Sequence, residues 1–278
     1  MHPLRLVAAF ALALGALAAA APAHAQADGE PVASSCLAVA EALPDVVYAS
    51  LAPGAAAAPA GGRDAAVTIT YAGHSTYLID TPGGVRIATD FSGRYGAEPP
   101  PRVATMNKAH STHFTPFPDP RIEHVLPGWN PDGGPARHAL VVDDVYIRNV
   151  TTDIRRYGTM EPNANSIFIF EVAGLCIGHL GHLHHRLEDA HYAAIGRLDV
   201  VMVPIDGGMT MSLPGMSEIT QRLYASIVLP MHRHATPIGS FTAMMGEAFD
   251  VDFRDTRSLS VSLSSLPRRP TIVILDGV

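Results

Sequence analysis

Histidine recurs in this chain where strand-like runs give way to loops. His110 and His113 follow RVATM, His182 and then His184 and His185 come at the end of CIGHLG, and His232 follows SIVLPM. Strand ends that feed loops at one edge of a sheet can bring side chains distant in sequence to one point. Zinc needs such convergence, because it takes three or four nitrogen, oxygen or sulfur ligands near tetrahedral angles and neutral imidazole suits it. His110, His113, His182 and His232 are the expected metal ligands. His184 and His185 head a helix, so each is read either as metal-linked or as a cap. A further run, DVVMVPI, ends on Asp206 before Gly207 and Gly208. Its carboxylate can serve the reaction or fix the tautomer of a histidine. Lys108, beside the first pair, is the single lysine of the sequence. Near a cation it either loses its proton more easily or stays charged and holds an anionic substrate group. His124, His138, His179 and His191 read as surface or hydrogen-bonded residues. Ser75 and Ser166 lack a G-x-S-x-G context, which argues against a serine hydrolase.

The elements that must position these groups are mostly strands. VTITYA, TYLIDT and VRIATD are β-rich runs broken at Gly73-His74 and at Pro82-Gly83-Gly84, the second break being a hairpin turn. Between Phe91 and Asp132 the chain is rich in Pro and Gly and is expected to be largely loop with short ordered pieces. HALVVDDVYIRNVTT and SIFIFEVAGLCIGHLG each read as a hairpin, the second turning at Ala173-Gly174, with Asn165 tying it toward His182. A surface helix over HRLEDAHYAAIGRL, DVVMVPI as a strand, a helix from Ser217 to Tyr224 and SIVLPM as a strand follow. A helix over Phe241 to Phe249 and the strands LSVSL and TIVIL close the chain. Two packed sheets with helices outside accommodate this order.

The 278 residues divide into three expected segments. Residues 1–25 have the basic start, short Ala-rich apolar run and small-residue end of a secretory signal peptide cut after Ala25. Residues 26–66 hold a short amphipathic helix, SSCLAVAEALPDVVYASL, and a low-complexity linker, and residues 67–278 form the main domain. Export to a bacterial periplasm or beyond is the expectation, with no membrane-spanning segment in the mature chain. The net charge of −7 argues against nucleic acid or an anionic membrane as partner and leaves a small-molecule substrate. The two cysteines, Cys36 and Cys176, either pair in an oxidising compartment or leave a buried thiol at Cys176.

ITYAGHSTYLIDTPGGVRIATD resembles the opening hairpins of the metallo-β-lactamase superfamily, in the branch similar to the ascorbate-phosphate lactonases. HLGH, then LDVVMVPIDGG, MTM and VLPMH, resemble its later half in the same order. The likeness runs from about Val67 to His234, and the ordered set is more specific than any piece. It implies an α+β fold, a four-layer αββα sandwich with metals at one edge. It also places His74 and Asp90 close to the metal cleft, as residues supporting the ligands; His185, from its place after His182, is a further supporting candidate.

The departures from that family are chemical. Its His-x-His-x-Asp-His becomes Lys108-Ala109-His110-Ser111-Thr112-His113, and its Gly-Asp becomes Gly181-His182. The final metal histidine matches His232. Another family histidine falls near NVTTDIRR, where Asp153 is the available substitute ligand. Thr112 cannot take a proton at neutral pH as the family's Asp can. One zinc, or another divalent ion, is therefore expected rather than two. The functional expectation is an exported hydrolase that activates water with a metal, acting on an ester, lactone, amide or phosphoester bond. The alternative is a protein of the same fold that binds metal or a small ligand without catalysis.

Overall fold

A computed structural model describes residues 33–37, 62–94, 98–156 and 158–278. The expected signal peptide, and the expected amphipathic helix and linker apart from residues 33–37 and 62–66, lie outside the described residues.

The first sheet begins with β1 (Val67–Gly73), β2 (Thr76–Asp80), β3 (Arg86–Ala88), β4 (Val103–Met106) and β5 (His124–Pro127). The second holds β6 (Ala139–Val142), β7 (Val145–Arg156), β8 (Thr159–Val172), β9 (Leu175–His179), β10 (Val200–Pro204), β11 (Ile227–Met231), β12 (Asp250–Phe253) and β14 (Thr271–Ile274), while β13 (Ser258–Val261) returns to the first. The orders are β13-β1-β2-β3-β4-β5 and β12-β14-β11-β10-β9-β8-β7-β6. Three helices, α1 (Asp189–Ile195), α2 (Leu213–Leu223) and α3 (Ile238–Met245), join the later strands. This is the expected α+β sandwich.

Burial explains the layers. Strand β1 alternates strictly, with Val67, Ile69 and Tyr71 buried and Thr68, Thr70 and Ala72 partly exposed, the period of a strand with one face on a core. The residues VVMVP of β10 and IVLPM of β11 are buried throughout, as parallel strands covered on both faces require. Ile69, Ile79, Phe168, Phe170, Met202 and Leu229 fill the space between the sheets. Ile169, Val203, Ile195, Ile219 and Phe241 form a second core between the large sheet and the helices. Over the outer face of the small sheet, Leu78, Ala88 and Ala104 pack with the loop residues Phe91, Ile122, Phe114 and Trp129.

Two features differ from or add to the expectations. The chain ends α3 at Met245, and Asp250–Phe253 forms an edge strand with polar residues at alternate positions. That strand lacks the apolar run that marks the others. Cys36 and Cys176 form a disulfide with Cα atoms 5.8 Å apart, so Cys176 is not a free thiol. Beside it, Ser34 and Ser35 bond to the Glu171 carboxylate, which also accepts from Arg148 Nε at 2.8 Å. Among the described residues no helix is long and apolar enough to cross a membrane.

Candidate metal centre

The parallel run explains why histidines gather. Strands β9, β10 and β11 lie side by side in parallel, so the loops after them leave from one rim and carry His182, Asp206 and His232. From the facing sheet, β4 runs parallel to β3 and β5 and releases the segment bearing His110 and His113. The β1–β2 turn brings His74, whose carbonyl accepts the His232 N–H at 2.7 Å. Ligands at the carboxyl ends of parallel strands are the general rule for such sheets.

One ring nitrogen each from His74, His110, His113 and His232 lies within 4.8 Å of all the others. His182 falls outside that tight quartet, yet its ring centroid is 4.6 Å from that of His113, 4.9 Å from His232 and 5.0 Å from His110. Carboxylates behind the rings settle which nitrogens face inward. His113 Nδ1 is 2.7 Å from Asp90 Oδ2 and His232 Nδ1 is 2.9 Å from Asp206 Oδ2. With those Nδ1–H groups donating, each Nε2 carries a lone pair. Among the described residues, His113 Nε2, His232 Nε2 and both ring nitrogens of His182 are buried with no hydrogen-bond partner. Unpaired buried acceptors are costly, and a divalent cation among the rings relieves that cost. The donor set fits zinc or another borderline ion that prefers imidazole over oxygen.

Supporting contacts run deep. Asp90 is fully buried and its Oδ1 accepts from Asn107 Nδ2 at 2.7 Å, while Asn107 Oδ1 accepts the Ser166 N–H. Burial alone would raise the Asp90 carboxyl, but nearby His179 and His113 and the bonds from His113 and Asn107 bring it below the ordinary carboxylate value. Asp206 is likewise lowered: burial opposes ionisation and is outweighed by bonds from His232, the Thr210 hydroxyl and the backbone N–H groups of Thr210 and Gly208. Thr112 Oγ1 sits 2.7 Å from His110 Nδ1 and 2.9 Å from His74 Nε2. If the hydroxyl accepts from the His110 ring, His110 Nε2 carries a lone pair toward the cluster, to which His74 also presents one ring nitrogen. Burial, then the neighbouring histidines, pushes His74 down to about 3 and His110 to about 4. Among the described non-glycine residues only eight have positive φ, and His74, Asp90, His232 and His234 are four of them. Backbone held in that region concentrates at functional sites.

Several expected roles change once the side chains are placed. His184 accepts the Arg155 N–H at Nδ1 (2.6 Å) and faces the Met209 carbonyl through Nε2 (2.6 Å), so neither nitrogen is left for a metal. Asp153 Oδ1 accepts the Asn163 N–H, and His185 Nε2 accepts the Asp153 N–H at 3.0 Å; both serve the β7–β8 hairpin rather than the ring cluster. Lys108 Nζ, expected to hold substrate, pairs with the Glu161 carboxylate. Asp206 has its oxygens engaged by the turn and by His232, the geometry of a positioning residue. His74, expected to support the ligands, stands among them; its place directly after β1 was the available signal. His182 receives the Asn165 tie through its backbone N–H at 2.7 Å. His234, not singled out from sequence, lies with its ring 5.0 Å from that of His232.

Residues 68–232 match the family model described as the Beta-lactamase superfamily domain. A Thermotoga maritima protein, named as a Zn-dependent hydrolase of the metallo-β-lactamase superfamily, is 24% identical over 75% of this chain and 98% of its own, with a TM-score of 0.54. A Parabacteroides distasonis protein, named as a metal-dependent hydrolase, is 15% identical over 65% of this chain and 89% of its own, with a TM-score of 0.51. At these identities the two structures bear on the fold alone. None of the curated proteins compared with the chain matches it.

Proposed function

Given that the chain belongs to the metallo-β-lactamase superfamily, with residues 68–232 spanning its domain model, we propose that it is an exported metal-dependent hydrolase of an ester, lactone, amide or phosphoester bond. The observation that carries the reading is the set of buried, unpartnered nitrogens on His113, His182 and His232. His74 and His110 complete the shell. When bound, a divalent ion, zinc above all and one rather than two, supplies Lewis acidity that polarises an acyl or phosphoryl oxygen and acidifies water. The protein's part is positioning. Asp90 and Asp206 hold His113 and His232 in the tautomer with Nε2 inward, and Asn165 fixes the backbone of His182. Thr112 links His74 and His110 through one hydroxyl, so a proton on either ring is held at Nε2 of His74 or Nδ1 of His110. Export is supported by the opening apolar run and by the Cys36–Cys176 disulfide, a bond that persists outside reducing compartments.

A second reading, metal or ligand binding without turnover, is favoured by Thr112. No carboxylate stands free to accept a proton at that position, and the neutral His74 and His110 are weak bases. Metal analysis of protein purified without added zinc, followed by a hydrolase substrate panel on the wild type and His232→Ala, separates the two. Turnover that requires the metal and is lost in His232→Ala supports the hydrolase. Bound metal with no turnover on a broad panel supports the binder.

A further inference from the structure

We propose that the cavity beside the ring cluster is an anion subsite, in which Arg155 holds a carboxylate or phosphate group of the substrate. The assignment to substrate rests on the hydrolase reading; the binding of an anion does not. The cavity, about 170 Å³, is lined by Ala109, His110, Ile154, Arg155, Arg156, His182, His184 and Met209. It is small against ligand pockets of roughly 300–1,000 Å³, so it takes one functional group rather than a whole molecule. Two of its walls, His110 and His182, belong to the ring cluster, so a group seated there lies against the rings. Among the described residues no carboxylate lines it, although the chain as a whole is acidic.

The placement of Arg155 is built into the sheet. The β7–β8 register shifts between Thr152 and Ile154, where β8 carries two more residues than β7, and irregularities of this kind are common beside active sites. Arg155 donates its backbone N–H to His184, whose ring is locked from the other side by the Met209 carbonyl. Arg155 is exposed and lines the cavity, and among the described residues its guanidinium has no hydrogen bond or ion pair, whereas Lys108 and Arg156 face Glu161. A planar guanidinium with unfilled donors recognises carboxylate or phosphate oxygens in pairs.

The test uses the zinc-loaded full-length protein and inorganic phosphate, with succinate as the carboxylate probe, followed by calorimetry at low salt. Wild type should bind at least one of them, and Arg155→Ala should bind it about tenfold more weakly with unchanged metal content, Arg155→Lys falling between. Which probe responds distinguishes phosphate from carboxylate. No binding to wild type, or equal binding by Arg155→Ala, overturns the subsite. In a second arm, a substrate turned over by wild type is compared with an uncharged counterpart. Arg155→Ala should raise KM about tenfold for the anionic member only, and an equal effect on both overturns the assignment to substrate. Phosphate or succinate binding that depends on Arg155 in a protein with no turnover retains the subsite and rejects the hydrolase.

Discussion

Asp206 Oδ2 stands 2.9 Å from His232 Nδ1, and the same carboxylate gathers the N–H groups of Gly208, Met209 and Thr210. One side chain therefore sets both the tautomer of a metal-facing histidine and the shape of the loop after β10. Asp206→Asn keeps the size but can present an amide N–H to the ring or the loop. Partners of this kind typically contribute 10- to 100-fold to metal affinity. Zinc affinity of Asp206→Asn, measured by competition with a chromophoric chelator, should fall by about that range with secondary structure retained. An affinity equal to wild type would remove Asp206 from the account.

Thr112 occupies the place where the family pattern has Asp. Thr112→Val deletes the hydroxyl between His74 and His110 and should weaken zinc binding by about tenfold, whereas Thr112→Asp should strengthen it by restoring an anionic acceptor. The same chelator competition reads both. An unchanged Thr112→Val would mean that the two rings are held by packing alone.

Acid should destabilise the metal-free protein in a defined window. His74 and His110 titrate near 3 and 4 when folded, against 6.5 for an ordinary histidine. The folded state thus refuses protons that the unfolded chain accepts once the pH drops below about 6.5. Stability is complete above that value and declines as the pH falls toward 4. Urea unfolding of chelator-treated protein at pH 7.5, 6 and 5 should show midpoints descending in that order, less steeply in His74→Asn. A flat profile would contradict the burial of neutral imidazoles.

The disulfide closes a separation of 140 residues. Cys36→Ser with Cys176→Ser should lower unfolding free energy by about 2–4 kcal/mol, measured by urea unfolding. The bond tethers residues 34–36 to the large sheet beside the Glu171–Arg148 ion pair. No loss of stability in the double variant would contradict that anchoring role.

Much of this arrangement is legible in the sequence. The apolar runs of β10 and β11 and the turn residues at Ala173-Gly174 identify the strands, and histidines at their ends identify the rim. What escaped depended on partners that spacing does not encode. His184 looks like a ligand next to His182, but both of its nitrogens are taken by Arg155 and Met209, a pairing made across β7 and the loop after β10. Lys108 looks available until β8 brings Glu161 to it. His74 looks peripheral because its approach to His232 is a contact between the two sheets, set by a backbone hydrogen bond. The edge strand Asp250–Phe253 is partly exposed and carries no apolar run to mark it.

In the proposed site, imidazole nitrogens from separate strands hold a metal. X-ray absorption on protein purified without added metal, paired with elemental analysis, tests this most directly. It should find about one divalent ion per chain, surrounded by nitrogen ligands at about 2.0–2.1 Å for zinc, with occupancy lost in a His113→Ala, His232→Ala double variant that still folds. A folded wild-type protein that carries no ion and takes up none from added zinc would contradict it.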